Sequence, residues 1–174
     1  MKIMTKSNLC VQMTVTFLKL ASAALLFTMA VAAPVRAASL KQLPFHGTMQ
    51  STDTVTLNDF PVLVVESIGT GHATPLGRFT WNLEVHADLA AGTATGTVVL
   101  TAANGDRLFT EFTATSAASD IPGTILISEI HTITGGTGRF AGANGSFTRE
   151  AVSNMDMGIT SGVLDGTVVI NKTK

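Results

Sequence analysis

Beyond residue 37 the chain has no cysteine, because the single one, Cys10, lies before that point. Disulfides, thiol catalysis and thiolate metal sites are therefore excluded from residues 38–174. Tyrosine is absent altogether and Trp81 is the sole tryptophan. Positive charge is scarce: residues 38–174 hold 3 Lys and 4 Arg against 7 Asp and 5 Glu, a formal charge of −5. That balance argues against nucleic acid and anionic membrane surfaces as partners, since both select basic patches. Helix signals are missing too. No ten-residue stretch free of Gly and Pro places apolar residues at helical spacing. The four histidines, His46, His72, His86 and His131, are far apart and make no paired zinc spacing. No G-x-S-x-G elbow is present. Neither a metal nor a cofactor is expected.

The first 37 residues read differently from the rest. They carry Lys2, Lys6, Lys19 and Arg36 and no acid. The apolar run Leu20 to Ala33 follows, and Val35-Arg36-Ala37 sets small residues at −3 and −1 of a cut before Ala38. Basic flank, apolar core and small-x-small site describe a secretory signal peptide. The run of 14 residues is short of the about 20 that a membrane span needs. The expectation is a signal peptide over 1–37 and one domain over 38–174. The protein would be secreted or periplasmic, with no stable membrane insertion after cleavage near Ala37.

All 16 glycines, and 22 of the 26 threonines, fall after residue 37. Thr and Val suit a pleated, half-buried surface, and Gly punctuates turns. Alternating runs between turn signals predict strands over about 43–51, 60–69, 77–88, 94–103, 106–115, 123–134, 144–153 and 159–171. The clearest is 77–88, where Phe79, Trp81, Leu83 and Val85 alternate with Thr80, Asn82, Glu84 and His86. Asn104-Gly105 predicts a tight type I′ hairpin between the fourth and fifth runs. Eight meandering strands predict an all-β fold, an antiparallel up-and-down barrel of calycin-like form, with a two-sheet sandwich as the alternative. Gly96-Thr97-Val98-Val99 echoes Gly166-Thr167-Val168-Val169, which in so Thr/Val/Gly-rich a chain is read as composition rather than repeat.

Two loops stand out. In Gly135-Gly136-Thr137-Gly138-Arg139-Phe140-Ala141-Gly142 the glycine spacing is wrong for a dinucleotide fingerprint, and no Gly-Lys-Ser/Thr ends it as in a P-loop. It reads as a coiled connection in which the glycines supply positive φ, Arg139 braces carbonyls or a carboxylate, and Phe140 plugs one end of the core. Gly69 to Thr80 reads as a shaped loop between the second and third strands, with His72 as a solvated loop histidine.

Three carboxylates fall in phase with apolar residues. Glu129 alternates with Ile125, Ile127, His131 and Ile133; Glu66 with Val62, Val64 and Ile68; Glu111 with Phe109. If those faces point inward, the barrel holds carboxylates in an apolar cavity, where burial shifts them toward acid/base chemistry. Leu63 and Val65 on one strand, and Leu126 and Ile130 on the other, claim the core equally well.

The string Ile133-Thr134-Gly135-Gly136-Thr137-Gly138-Arg139-Phe140-Ala141-Gly142-Ala143-Asn144-Gly145-Ser146-Phe147 resembles the signature of the allene oxide cyclase barrel-like group, which is related to dirigent proteins. Gly69 to Thr80 and Thr101 to Asp106 agree in order and spacing. The resemblance covers about residues 65–170 and implies an eight-stranded antiparallel barrel. Plant members cyclise an unsaturated epoxide or steer radical coupling, and some bacterial members cyclise polyketide chains. All fold an apolar ligand inside the barrel. No catalytic residue of those enzymes maps onto a position here.

Two function classes follow. One is an exported barrel that binds or shapes a small apolar ligand, as a binder or a cofactor-free cyclase or isomerase. Its pocket would be drawn from Trp81, Glu129, Glu66, His131 and Phe112, with Glu129 as acceptor for the Trp81 indole N–H. The other is a non-catalytic secreted barrel acting through protein contacts, free to form oligomers. Interior volume discriminates them, because eight-stranded barrels are either filled or hollow.

Overall fold

The computed structural model describes residues 39–171, so the expected signal peptide lies outside the described residues. Eight strands follow in chain order: β1 (Leu40–Asp59), β2 (Val62–Ala73), β3 (Gly77–Asp88), β4 (Thr93–Ala102), β5 (Arg107–Ala118), β6 (Thr124–Gly136), β7 (Asn144–Asn154) and β8 (Ile159–Asn171). Each is antiparallel to its neighbours. The 20-residue β1 pairs with β8 over Leu40–Thr52 and with β2 over Gly47–Asp59, which closes the sheet into a barrel. Closure satisfies every edge, so the sandwich alternative falls away. A single 3-10 turn, Gly138–Phe140, is the one helical element among the described residues.

An up-and-down barrel has two unlike ends. The β1–β2, β3–β4, β5–β6 and β7–β8 turns gather at one, here called the mouth. The remaining turns and the described chain termini gather at the other, the base. The base is solid. Phe45, Leu76, Leu100, Leu108, Phe140, Phe147 and Val168 are buried there, and the Phe45 and Phe147 rings stack at 4.5 Å. Phe140 is fully buried at this end. Arg139 Nη2 donates to the Leu76 carbonyl at 2.9 Å, and its Nε lies 3.4 Å from Asp106. Gly138 has φ +58°, and a Cβ there would strike the Asp106 carboxylate, so the connection requires glycine.

The large rings fit because small partners face them. Trp81 pairs with Gly69, Phe79 with Gly71, Phe112 with Gly96, and Gly166 stands between Phe45 and Phe147. Both glycines of the Gly-Thr-Val-Val echo thus make room for a phenylalanine.

Two local expectations are corrected. The segment Gly69 to Thr80 is mostly sheet: β2 continues to Ala73 and β3 begins at Gly77, leaving a turn of only residues 74–76. Its Thr and small residues serve strand pairing with β1 and β3 rather than a shaped loop. Asn104-Gly105 is not a type I′ pair. Gly105 has φ +88°, but among the described residues no non-glycine residue has positive φ. Asn104 instead bonds Asp106 through its side chain, at 2.8 Å and 3.3 Å, in a longer loop.

Candidate functional site

Above the plugged base the barrel is hollow. A cavity of about 200 Å³ occupies the mouth half. Its walls come from inward positions of the strands, among them Leu63, Val65, Leu83, Val85, Ile125 and Ile127. Phe112, Glu129 and Arg149 line it deepest, where it meets the filled half. Asp53, Ser153 and Thr160 add the polar part of the wall.

The floor is a buried ion network. On β6 the inward residues are Ile125, Ile127, Glu129, His131 and Ile133, while Leu126 and Ile130 face out and are exposed. Glu129 is paired in register with Arg149 of β7. Arg149 Nη1 donates to Glu129 Oε1, and His131 Nε2 lies 2.7 Å from Oε2. His131 Nδ1 lies 3.1 Å from the Thr110 hydroxyl. Phe112 and Phe147 sandwich the imidazole at 5.0 Å and 4.4 Å. All four polar members of this network are buried.

Burial alone pushes the Glu129 carboxyl up. The hydrogen bond from His131 and the charges of Arg149 and His131 outweigh it, and the group ends below its ordinary range. Burial pushes His131 down, and the opposing pull of Glu129 does not fully restore it, with Arg149 adding to the depression. At neutral pH the pair is therefore carboxylate and neutral imidazole. That fixes the tautomer: Nε2–H donates to Glu129, and Nδ1 accepts from Thr110.

A second polar cluster stands on the wall. Asp53 of β1 is paired in register with Ser67 of β2. Its Oδ1 accepts from Ser51 at 3.0 Å and from Ser67 at 2.6 Å, and its Oδ2 accepts from Thr160. No cation lies within ion-pair distance of it among the described residues.

Of the residues expected in the pocket, Glu129 and Phe112 line the cavity. His131 and Trp81 lie beneath, inside the filled part. Trp81 is fully buried but meets the network with its ring rather than its N–H. The Arg149 guanidinium sits 5.1 Å from the ring centroid and His131 packs on it edge-on at 6.0 Å. The expected Trp81–Glu129 hydrogen bond is absent: the indole N–H has no partner, and Glu129 is bonded by Arg149 and His131 instead. Glu66 is corrected outright: it is exposed on the outer face beside Glu84, since Ser67 takes the inward place. Glu111 also faces out.

Sequence reasoning missed Arg149, Asp53, Thr160 and Thr110. Arg149 left a signal, for it alternates in phase with Phe147 and Ala151 on an otherwise apolar face. Asp53 left none, lying in a run of Thr and Ser.

No family model matches the chain, and no curated protein does. Among solved structures it is similar to that of a pterocarpan synthase dirigent protein, at a TM-score of 0.39 and 12% identity, over 83% of this chain and 96% of that one.

Proposed function

We propose that this protein binds and confines a small, largely apolar molecule in its mouth-side cavity, as a ligand carrier or a cofactor-free cyclase or isomerase. One observation carries the reading: a hollow of about 200 Å³ with aliphatic walls ends on a buried floor of paired charges. An apolar protein cavity of about 150 Å³ already takes up benzene, so this one suits a ring or short chain of similar or slightly larger size. Confinement is the main contribution, because holding reacting atoms close removes part of the entropic barrier they face in solution. Glu129 is committed to Arg149 and His131. Its role is to anchor the floor beneath the ligand rather than to move a proton. Asp53, held only by hydroxyls, is the carboxylate left to contact a ligand's polar group.

Toluene titrated by calorimetry into the purified protein tests this. The expected result is saturable binding that disappears in Ala114→Phe, which fills the cavity, while the variant keeps a β-sheet circular dichroism spectrum. Absence of saturable binding to the unaltered protein sinks the reading.

A further inference from the structure

We propose that the cavity's ligand is a cationic amphiphile, an apolar molecule carrying a protonated amine or other positively charged nitrogen. The inference rests on reading the cavity as a ligand site and adds the charge of what enters.

The interior is not charge-balanced. The cavity lining holds three carboxylates, Asp53, Asp88 and Glu129, against one guanidinium, Arg149. Arg149 is taken by Glu129. Asp53 meets only the hydroxyls of Ser51, Ser67 and Thr160. Asp88 meets only the backbone N–H groups of Ala90 and Ala91, at 2.9 Å and 3.0 Å. Two carboxylates therefore face an apolar space with no cation of the described residues to answer them. Charge interactions in such low-dielectric surroundings are stronger than in water.

The approach to the cavity repeats this chemistry. Every mouth turn carries an exposed apolar side chain: Phe60, Leu89, Ile121, and the pair Met155 and Met157, each at least half exposed. Asp120 and Asp156 stand exposed on two of the same turns, and no Lys or Arg occurs in any of the four. Lys41, Arg78, Arg107 and Arg139 all lie at the base. Among the described residues the one exposed base in the mouth half, His86, is paired with Glu84. An apolar surface in a negative field attracts molecules that are both greasy and positive and repels anions. Gate and interior thus select the same ligand class, by independent sets of residues.

Calorimetry on the purified protein at neutral pH and low salt, with three probes of matched size, decides it. The probes are 2-phenylethylammonium, 2-phenylethanol and 3-phenylpropanoate. The ammonium is expected to bind at least about tenfold tighter than the alcohol, the gain a charge-assisted contact gives, and the propanoate weakest. Asp53→Asn is expected to remove most of the ammonium's advantage over the alcohol, so that the ratio of the two affinities collapses toward one. Asp88→Asn weakens the ammonium by about threefold, as a half-exposed charge would. If the alcohol matches or exceeds the ammonium, the charge assignment is overturned while the cavity remains a ligand site. If toluene binds but no probe does, the charge assignment is likewise overturned. If toluene and all three probes fail, the cavity reading falls and takes this inference with it. Should Asp53→Asn not fold, the ratio of ammonium to alcohol affinity in the unaltered protein still decides the charge assignment.

Discussion

Arg149 and Glu129 face each other from neighbouring strands at the one level where the barrel changes from filled to hollow. Taking two charges out of water costs several kcal/mol per ion, which their attraction and the further donors must offset. Removing one partner leaves the other charged and buried. Glu129→Gln or Arg149→Met is therefore expected to lower stability by about 3–5 kcal/mol. The double variant Glu129→Leu/Arg149→Met loses less than either single change, because no orphaned charge remains. Urea unfolding of all three measures it. A double variant as unstable as the sum of the singles would show that the two residues act separately. Trp81 shares in this through its ring, against which the guanidinium packs.

At the level of the strand, small residues set where large ones go. Gly96 lies under the Phe112 ring, and a Cβ there would come within 2.6 Å of it. Gly96→Ala is expected to cost about 1–3 kcal/mol as overpacking. Thr95→Ala, on the outer face of the same strand, should stay within about 0.5 kcal/mol. Thermal midpoints of the two variants separate the cases, and equal midpoints would refute the packing argument. The alternation that reveals strands is legible in the sequence because a pleat has period two. The limits of β3 and β8 coincide with runs 77–88 and 159–171 for that reason. Which face points inward is not legible where both are apolar. On β2, Val62 and Val64 compete with Leu63 and Val65. On β6, Leu126 and Ile130 compete with the isoleucines. Cross-strand partners decide it: Arg149 draws Glu129 inward, and Asp53 draws Ser67 inward and so turns Glu66 out. Such partners belong to other segments of the chain, and register is not written within one strand. Phe112 and Glu129 are therefore accessible from alternation, whereas Asp53 and Thr160 emerge only when β1, β2 and β8 are brought together.

For the whole molecule the buried pair makes stability depend on acidity. Both Glu129 and His131 have folded-state pKa values below their ordinary 4.5 and 6.5. In acid the unfolded chain then binds more protons than the folded one, so stability rises with pH. The His131 contribution is complete above its ordinary value and declines as pH falls below it. The Glu129 contribution declines further as pH drops below its own ordinary value toward the depressed one. Urea midpoints measured from about pH 8 down to about pH 4 should fall in those two stages. His131→Gln keeps a donor to Glu129 and should abolish the upper stage alone. A midpoint constant across that range would contradict the assigned protonation states.

The packed base has a consequence for traffic. With Phe45, Phe140 and Phe147 closing one end, the cavity is a cul-de-sac with a single doorway. Whatever enters between the four hairpins must leave between them, and one occupant excludes the next. If the barrel transforms its ligand, product and substrate contend for one vestibule. Product inhibition would then be purely competitive, and turnover would be set by how fast the doorway clears.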